Sequence, residues 1–246
     1  MIDALDHLTL RASFREGAVG AYEALLGRQA VDGRIRVGNV GLTIEDHAST
    51  AQLSSMVFAT ASLEKAARLL ERRALPGERK GDRLVLSPEA THGVPIALIE
   101  RTEAPAPSPL LRSSEAAAID SLDHVVIRSP NPERAIALYA GRLGLDLRLD
   151  RSNPDWGSRL LFFRCGDLVV EIAHDLKAGV SDAPDRLWGL SWRAPDIAKA
   201  NERLKTAGVE VSAPRAGRRP GTHVFTVQSH TANVPTIVIG GLEHWS

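Results

Sequence analysis

The sequence of 246 residues has a single cysteine, Cys165. An intramolecular disulfide is therefore excluded, and so is a zinc site built on several thiolates. Aromatic residues make up only 4%, so a core has to be built from Ala, Val, Leu and Ile. Neither sign of charge is in excess. Lys and Arg number 30, Asp and Glu number 30, and the formal net charge is zero. A nucleic-acid binder working through bulk charge would need a basic surplus to neutralise phosphates. No apolar run approaches the roughly 18 residues of a membrane-crossing helix. The opening stretch MIDALDHLTLRASF has acidic residues where a signal peptide is basic. GxSxG, Walker and GxGxxG motifs are all missing, which leaves triad hydrolysis, nucleotide hydrolysis and dinucleotide cofactors without support. These absences point to a cytoplasmic protein that works on neither nucleic acid nor membrane.

Hydrophobic residues at 43% and charged residues at 24% are ordinary for a globular chain. Near the midpoint, residues 104–118 read APAPSPLLRSSEAAA. Three prolines in five residues, followed by Ser and Ala, mark a linker. It separates an expected N-terminal domain, 1–103, from a C-terminal domain, 119–246. The two halves repeat one another. Residues 5–27, LDHLTLRASFREGAVGAYEALLG, align without gaps on 122–144, LDHVVIRSPNPERAIALYAGRLG. Leu5, Asp6, His7, Arg11, Glu16, Ala18, Tyr22, Leu26 and Gly27 recur as Leu122, Asp123, His124, Arg128, Glu133, Ala135, Tyr139, Leu143 and Gly144. More weakly, SLEKAARLL (62–70) matches DIAKANERL (196–204), and THGVPIALI (91–99) matches TANVPTIVI (231–239). The chain reads A–B–linker–A′–B′, four units of roughly 50 to 60 residues.

Each unit has one pattern. In A′, DHVVIRS is β-rich. PERAIALYAGRLG carries Ala135, Leu138, Tyr139 and Leu143 at helical spacing and ends at Gly144, the C′ position. LDLRLDR alternates as a half-buried strand does. RLLFFRC and DLVVEIAH follow, joined by a Gly166-Asp167 hairpin turn. Unit B′ repeats the series with GLSWRAP, DIAKANERLKTAG, VEVSAP, HVFTVQS and VPTIVIG. The unit is βαβββ.

Four tandem βαβββ units opening on L-D-H resemble the vicinal oxygen chelate superfamily, also called the glyoxalase/bleomycin-resistance/dioxygenase superfamily. The resemblance implies an α+β fold in which four modules pair into two cup-shaped, barrel-like mixed sheets. It also implies that a metal, where bound, takes one ligand from a unit's first strand and one from its fourth. In A′ these positions fall on His124 and Glu171. In A they fall on His7 and Thr43, with Glu45 on the same strand face. In B and B′ they fall near Ser55, Ala97, Trp188 or Gly189, and Ile237, none of which is a suitable donor. The implied ligands are therefore His124, Glu171 and His7, with His174, His223 and His230 as further candidates. Pairing of A with A′ would bring the first three together. The implied cofactor is a divalent metal (Fe, Mn, Ni or Zn) or none. Where it is not a ligand, Glu171 is the candidate catalytic base.

Two features add substrate-binding candidates. Arg218 and Arg219, in PRAGRRPGTH, sit on a basic loop able to hold a carboxylate or phosphate. Trp156, after Asn-Pro-Asp on a hairpin tip, can stack on a planar molecule. Each candidate has a plainer alternative. A strand-start histidine can be hydrogen-bonded to a neighbouring carboxylate, an arginine loop can be a solvated turn, and Trp156 can pack against protein. RRALPGERKGDR (72–83) reads as a solvated loop, and Cys165 lacks any activating neighbour. Functionally the pattern fits a protein that binds a small oxygen-bearing organic molecule. Such a protein is either a divalent-metal lyase, isomerase or ring-cleaving dioxygenase, or a metal-free sequestering protein of the bleomycin-resistance type. Monomer and homodimer both satisfy the sequence.

Overall fold

The computed structural model describes residues 2–47, 51–111, 114 and 117–241. Unit A gives β1 (Ala4–Ala12), α1 (Arg15–Leu26), β2 (Arg34–Arg36) and β3 (Gly41–Asp46). Unit B gives β4 (Gln52–Thr60), α2 (Leu63–Arg72), β5 (Gly77–Lys80), β6 (Arg83–Leu86) and β7 (Ile96–Glu100). Unit A′ gives β8 (Ser121–Arg128), α3 (Pro132–Ile136), β9 (Asp146–Asn153), β10 (Ser158–Cys165) and β11 (Leu168–Asp175). Unit B′ gives β12 (Arg186–Arg193), α4 (Ile197–Thr206), β13 (Arg215–Ala216), β14 (His223–Val227) and β15 (Thr236–Gly240).

The strands form two open sheets, ordered β2-β3-β1-β4-β7-β6-β5 and β13-β14-β15-β12-β8-β11-β10-β9. Units A and B share the first sheet, and A′ and B′ share the second. Both sheets are mixed. β4 runs parallel to β7 and β12 parallel to β15, while the hairpin pairs are antiparallel. Each sheet keeps two free edges, so it is a cup and not a closed barrel.

The repeated residues explain themselves once placed. Leu5, Leu122, Tyr22, Tyr139, Leu26 and Leu143 are all fully buried. Gly27 closes α1 with φ 68°, its N–H donating to the Glu23 carbonyl at 2.8 Å. Gly144 takes the same left-handed conformation, φ 76°. The helix of A′ departs from the plain α-helix expected, because after α3 the run Ala137–Arg142 is π-helical. Two further expectations change. The charged run at 72–83 is largely a hairpin, since Gly81 at φ 62° turns β5 back onto β6. VEVSAP is no regular strand. It makes only a bridge from Val211 to Val227 before the two-residue β13. Pro214 removes a ladder donor in between.

Compact packing draws on both halves. One unit of close contacts holds Met1–His7, Ser54–Ala104 and Val125–Trp188, and the other holds Leu8–Leu53, Pro105–His124 and Gly189–Ser246. In the first of these, the Asp185 N–H donates to the His92 carbonyl at 2.7 Å. In the second, Tyr22 donates its hydroxyl proton to the Thr231 carbonyl at 3.1 Å. The Arg203 guanidinium there reaches the carbonyls of Ala24, Leu25 and Ala117 at 2.7, 2.7 and 3.0 Å. The Pro/Ala/Ser segment is docked, not free. Ser108 N–H donates to the Arg36 carbonyl and Gln29 N–H to the Pro109 carbonyl, both at 2.8 Å. Residues 112, 113, 115 and 116 of that segment lie outside those described.

Candidate functional site

His124 lies on β8 and is partly exposed, with its Nδ1 2.7 Å from Oδ2 of Asp123. Asp123 also receives the Arg193 Nε proton on Oδ1 at 2.9 Å. Burial alone would raise the Asp123 pKa, but hydrogen bonds and charge from His124 and Arg193 outweigh it and hold the carboxyl below its ordinary value. An ionised carboxylate only accepts, so Nδ1 carries the proton shared with Asp123. His7 repeats the pattern on β1. Its Nδ1 is 2.7 Å from Asp6 Oδ2, and Arg101 pairs with the other oxygen at 2.7 Å. His7 is only 4% exposed. The carboxylate alternative read from the sequence is therefore present at both histidines, and its source is the adjacent aspartate.

Glu171 is half-buried on β11, opposite Phe162 of β10. Alternation puts Phe162, Glu171 and Ala173 on one face of the sheet. Phe163 points the other way and packs on Tyr139, ring centroids 5.6 Å apart. His174 shares that buried opposite face, its Nδ1 donating to the Ser129 carbonyl at 3.1 Å. His223 is exposed at the start of β14, and His230 bonds the Ser229 hydroxyl in a left-handed turn. In the first sheet, Ala97 packs with Val57 and Ile99 in an apolar cluster, which accounts for the missing donor in B. Cys165 is buried, and burial pushes its thiol up to about 12, so no thiolate nucleophile arises there.

The donor set does not fit a metal held by three protein ligands. Among the described residues, no group of three His, Cys, Asp or Glu side chains is arranged to hold an ion.

Trp156, 43% exposed, caps the turn between β9 and β10 and borders a cleft of about 790 Å³. Arg128, Ala173, Asp175, Lys177 and Arg186 also line it. Arg151 stacks over the Trp156 ring, 5.1 Å from its centroid. Ala173, two residues along β11 from Glu171, and His174 of the opposite strand face both line the cleft, whereas Glu171 does not. Arg218 and Arg219 are exposed between β13 and β14 and are not among the lining residues. The turn singles out Trp156 in the sequence, whereas Arg128, Lys177 and Arg186, scattered along the chain, are not marked there as site candidates.

Residues 123–226 match the family model of the Glyoxalase/Bleomycin resistance protein/Dioxygenase superfamily. Over 100 residues the chain is 30% identical to the ethylmalonyl-CoA/methylmalonyl-CoA epimerase of Cereibacter sphaeroides, covering 38% of this chain and 75% of that protein. The chain belongs to the glyoxalase/bleomycin resistance protein/dioxygenase superfamily. Solved structures share the fold across both halves. BphC, a halotolerant catechol dioxygenase, aligns with TM-score 0.72 at 12% identity, covering 100% of this chain and 89% of the other. The Mn(II)-bound glyoxalase from Novosphingobium aromaticivorans aligns with TM-score 0.71 at 13% identity, covering 99% and 83%. No helix among the described residues is long and apolar enough to cross a membrane.

Proposed function

We propose that this chain binds a small oxygen-bearing organic molecule in the cleft beside Trp156, without a resident metal. The observation that carries the reading is the cleft itself. Its volume falls in the range of small-molecule sites, and it combines an exposed aromatic face with a few polar groups. The superfamily relatives include a glyoxalase, a dioxygenase and an epimerase, all named for oxygenated substrates. A second reading, an enzyme, is favoured by the Asp123–His124 pair, because a carboxylate that fixes the imidazole tautomer is the setting of a histidine acting as a base or a ligand.

The test is elemental analysis of protein purified without a metal-affinity tag, beside a thermal-shift screen of diketones, 2-oxo acids and catechols. The expected result is no stoichiometric metal, and a melting-temperature rise with one compound class that Trp156→Ala abolishes. One equivalent of Fe, Mn, Ni or Zn, lost in His124→Ala, would overturn the metal-free reading and make this a chelate enzyme.

A further inference from the structure

Many cations of this chain are paired with carboxylates. In unit A′, Arg159 is held by Asp150 and Glu133, Arg134 by Asp185 and Arg148 by Asp146. Arg128, Lys177 and Arg186 have no carboxylate partner among the described residues, and all three line the Trp156 cleft. They come from three separate elements, namely the end of β8, the loop after β11 and the start of β12. The Arg128 guanidinium lies over the Trp188 ring, its carbon 4.3 Å from the centroid. Against these stand two lining carboxylates. Asp185 is neutralised by Arg134 at 2.8 Å, and Asp175 uses Oδ1 to accept the Lys177 backbone proton at 2.9 Å. Three unpaired cations converging on one concavity repel one another unless an anion joins them.

Resting on the reading of this cleft as the ligand site, we infer that its ligand is an organic acid. A carboxylate or phosphate is held by Arg128, Lys177 and Arg186, and a planar body stacks on Trp156. Arg218 and Arg219 do not line this cleft. Guanidinium forks suit both anions, because each presents paired oxygens.

The experiment titrates the full-length protein with benzoate, phenyl phosphate and uncharged benzyl alcohol, followed by tryptophan fluorescence. Saturable quenching is expected with at least one anion and not with the alcohol, weakening as salt is raised. Which anion binds identifies carboxylate or phosphate as the natural group. Arg128→Gln and Arg186→Gln should each weaken binding about ten-fold or more. The Arg218→Gln/Arg219→Gln double variant should bind as the parent does. Circular dichroism melts of each variant establish that it is folded. Equal binding of the alcohol would overturn the charge assignment while leaving the cleft as a ligand site. Binding unchanged in Arg128→Gln and Arg186→Gln, or lost in the double variant, would move the anion elsewhere. Absence of binding by all three probes would sink the inference, and a thermal-shift response to a neutral diketone would then show that the cleft reading alone survives.

Discussion

A carboxylate set between an imidazole and a guanidinium resists protonation. Asp123 is in that position, and its side chain is 12% exposed. Its pKa lies below the ordinary value near 3.9. A depressed carboxylate pKa stabilises the fold at pH values above the unfolded pKa, and that contribution is lost as pH falls through the folded pKa. Asp123→Asn should therefore destabilise the protein by about 1.5–3 kcal/mol at pH 7, the usual worth of hydrogen bonds to a charged group. The gap to wild type should hold down to about pH 5 and narrow below about pH 4. Urea unfolding at a series of pH values checks this, and a gap as large at pH 3 as at pH 7 would disprove it. The L-D-H repeat made the histidine legible. Its setting was not, because Arg193 at the end of β12 and Arg101 just after β7 meet the two aspartates from positions far along the chain that no local spacing announces.

Gly20 inside helix α1 and Gly27 at its C-terminal cap have opposite demands. Gly20 is mid-helix and exposed, with open space where a Cβ would go. Gly20→Ala should stabilise by about 0.5–1 kcal/mol, by restricting the unfolded chain. Gly27 is left-handed, and a Cβ there would come 2.7 Å from Cβ of Ser114. Gly27→Ala should destabilise by about 1–2 kcal/mol from the backbone alone, with crowding in addition. Melting temperatures should move in opposite directions, by about 2–4 °C per kcal/mol for a chain of this size. A common direction would refute the assignment. Helix ends and long strands were legible for this reason, since apolar periodicity and a terminal glycine are both local signals. The β5–β6 hairpin was not, because β5 is charged and mostly exposed, although β6 buries Leu84 and Leu86 and Gly81 marks the turn. The thin second strand of B′ was over-read because alternation in VEVSAP outweighed Pro214.

At the scale of the whole chain, the duplicated halves are interleaved in the packing. Sheets follow the halves, yet each compact unit takes segments from both. Within one such unit, Arg203 of the second half satisfies carbonyls at the end of α1 in the first, and Tyr22 of the first bonds Thr231 of the second. Linear repeats in a sequence report ancestry and strand order, and carry no record of which repeats bury one another. Unfolding should therefore be a single transition. The tryptophans test it, because all four, at 156, 188, 192 and 245, lie in the second half. Leu26→Ala in the first half removes a fully buried side chain and should cost about 2–5 kcal/mol. If the halves are coupled, the tryptophan-fluorescence midpoint should fall by as much as the far-ultraviolet circular dichroism midpoint. A fluorescence transition left in place, with circular dichroism splitting into two steps, would mean that the second half folds on its own and that its contacts with the first half contribute little to its stability.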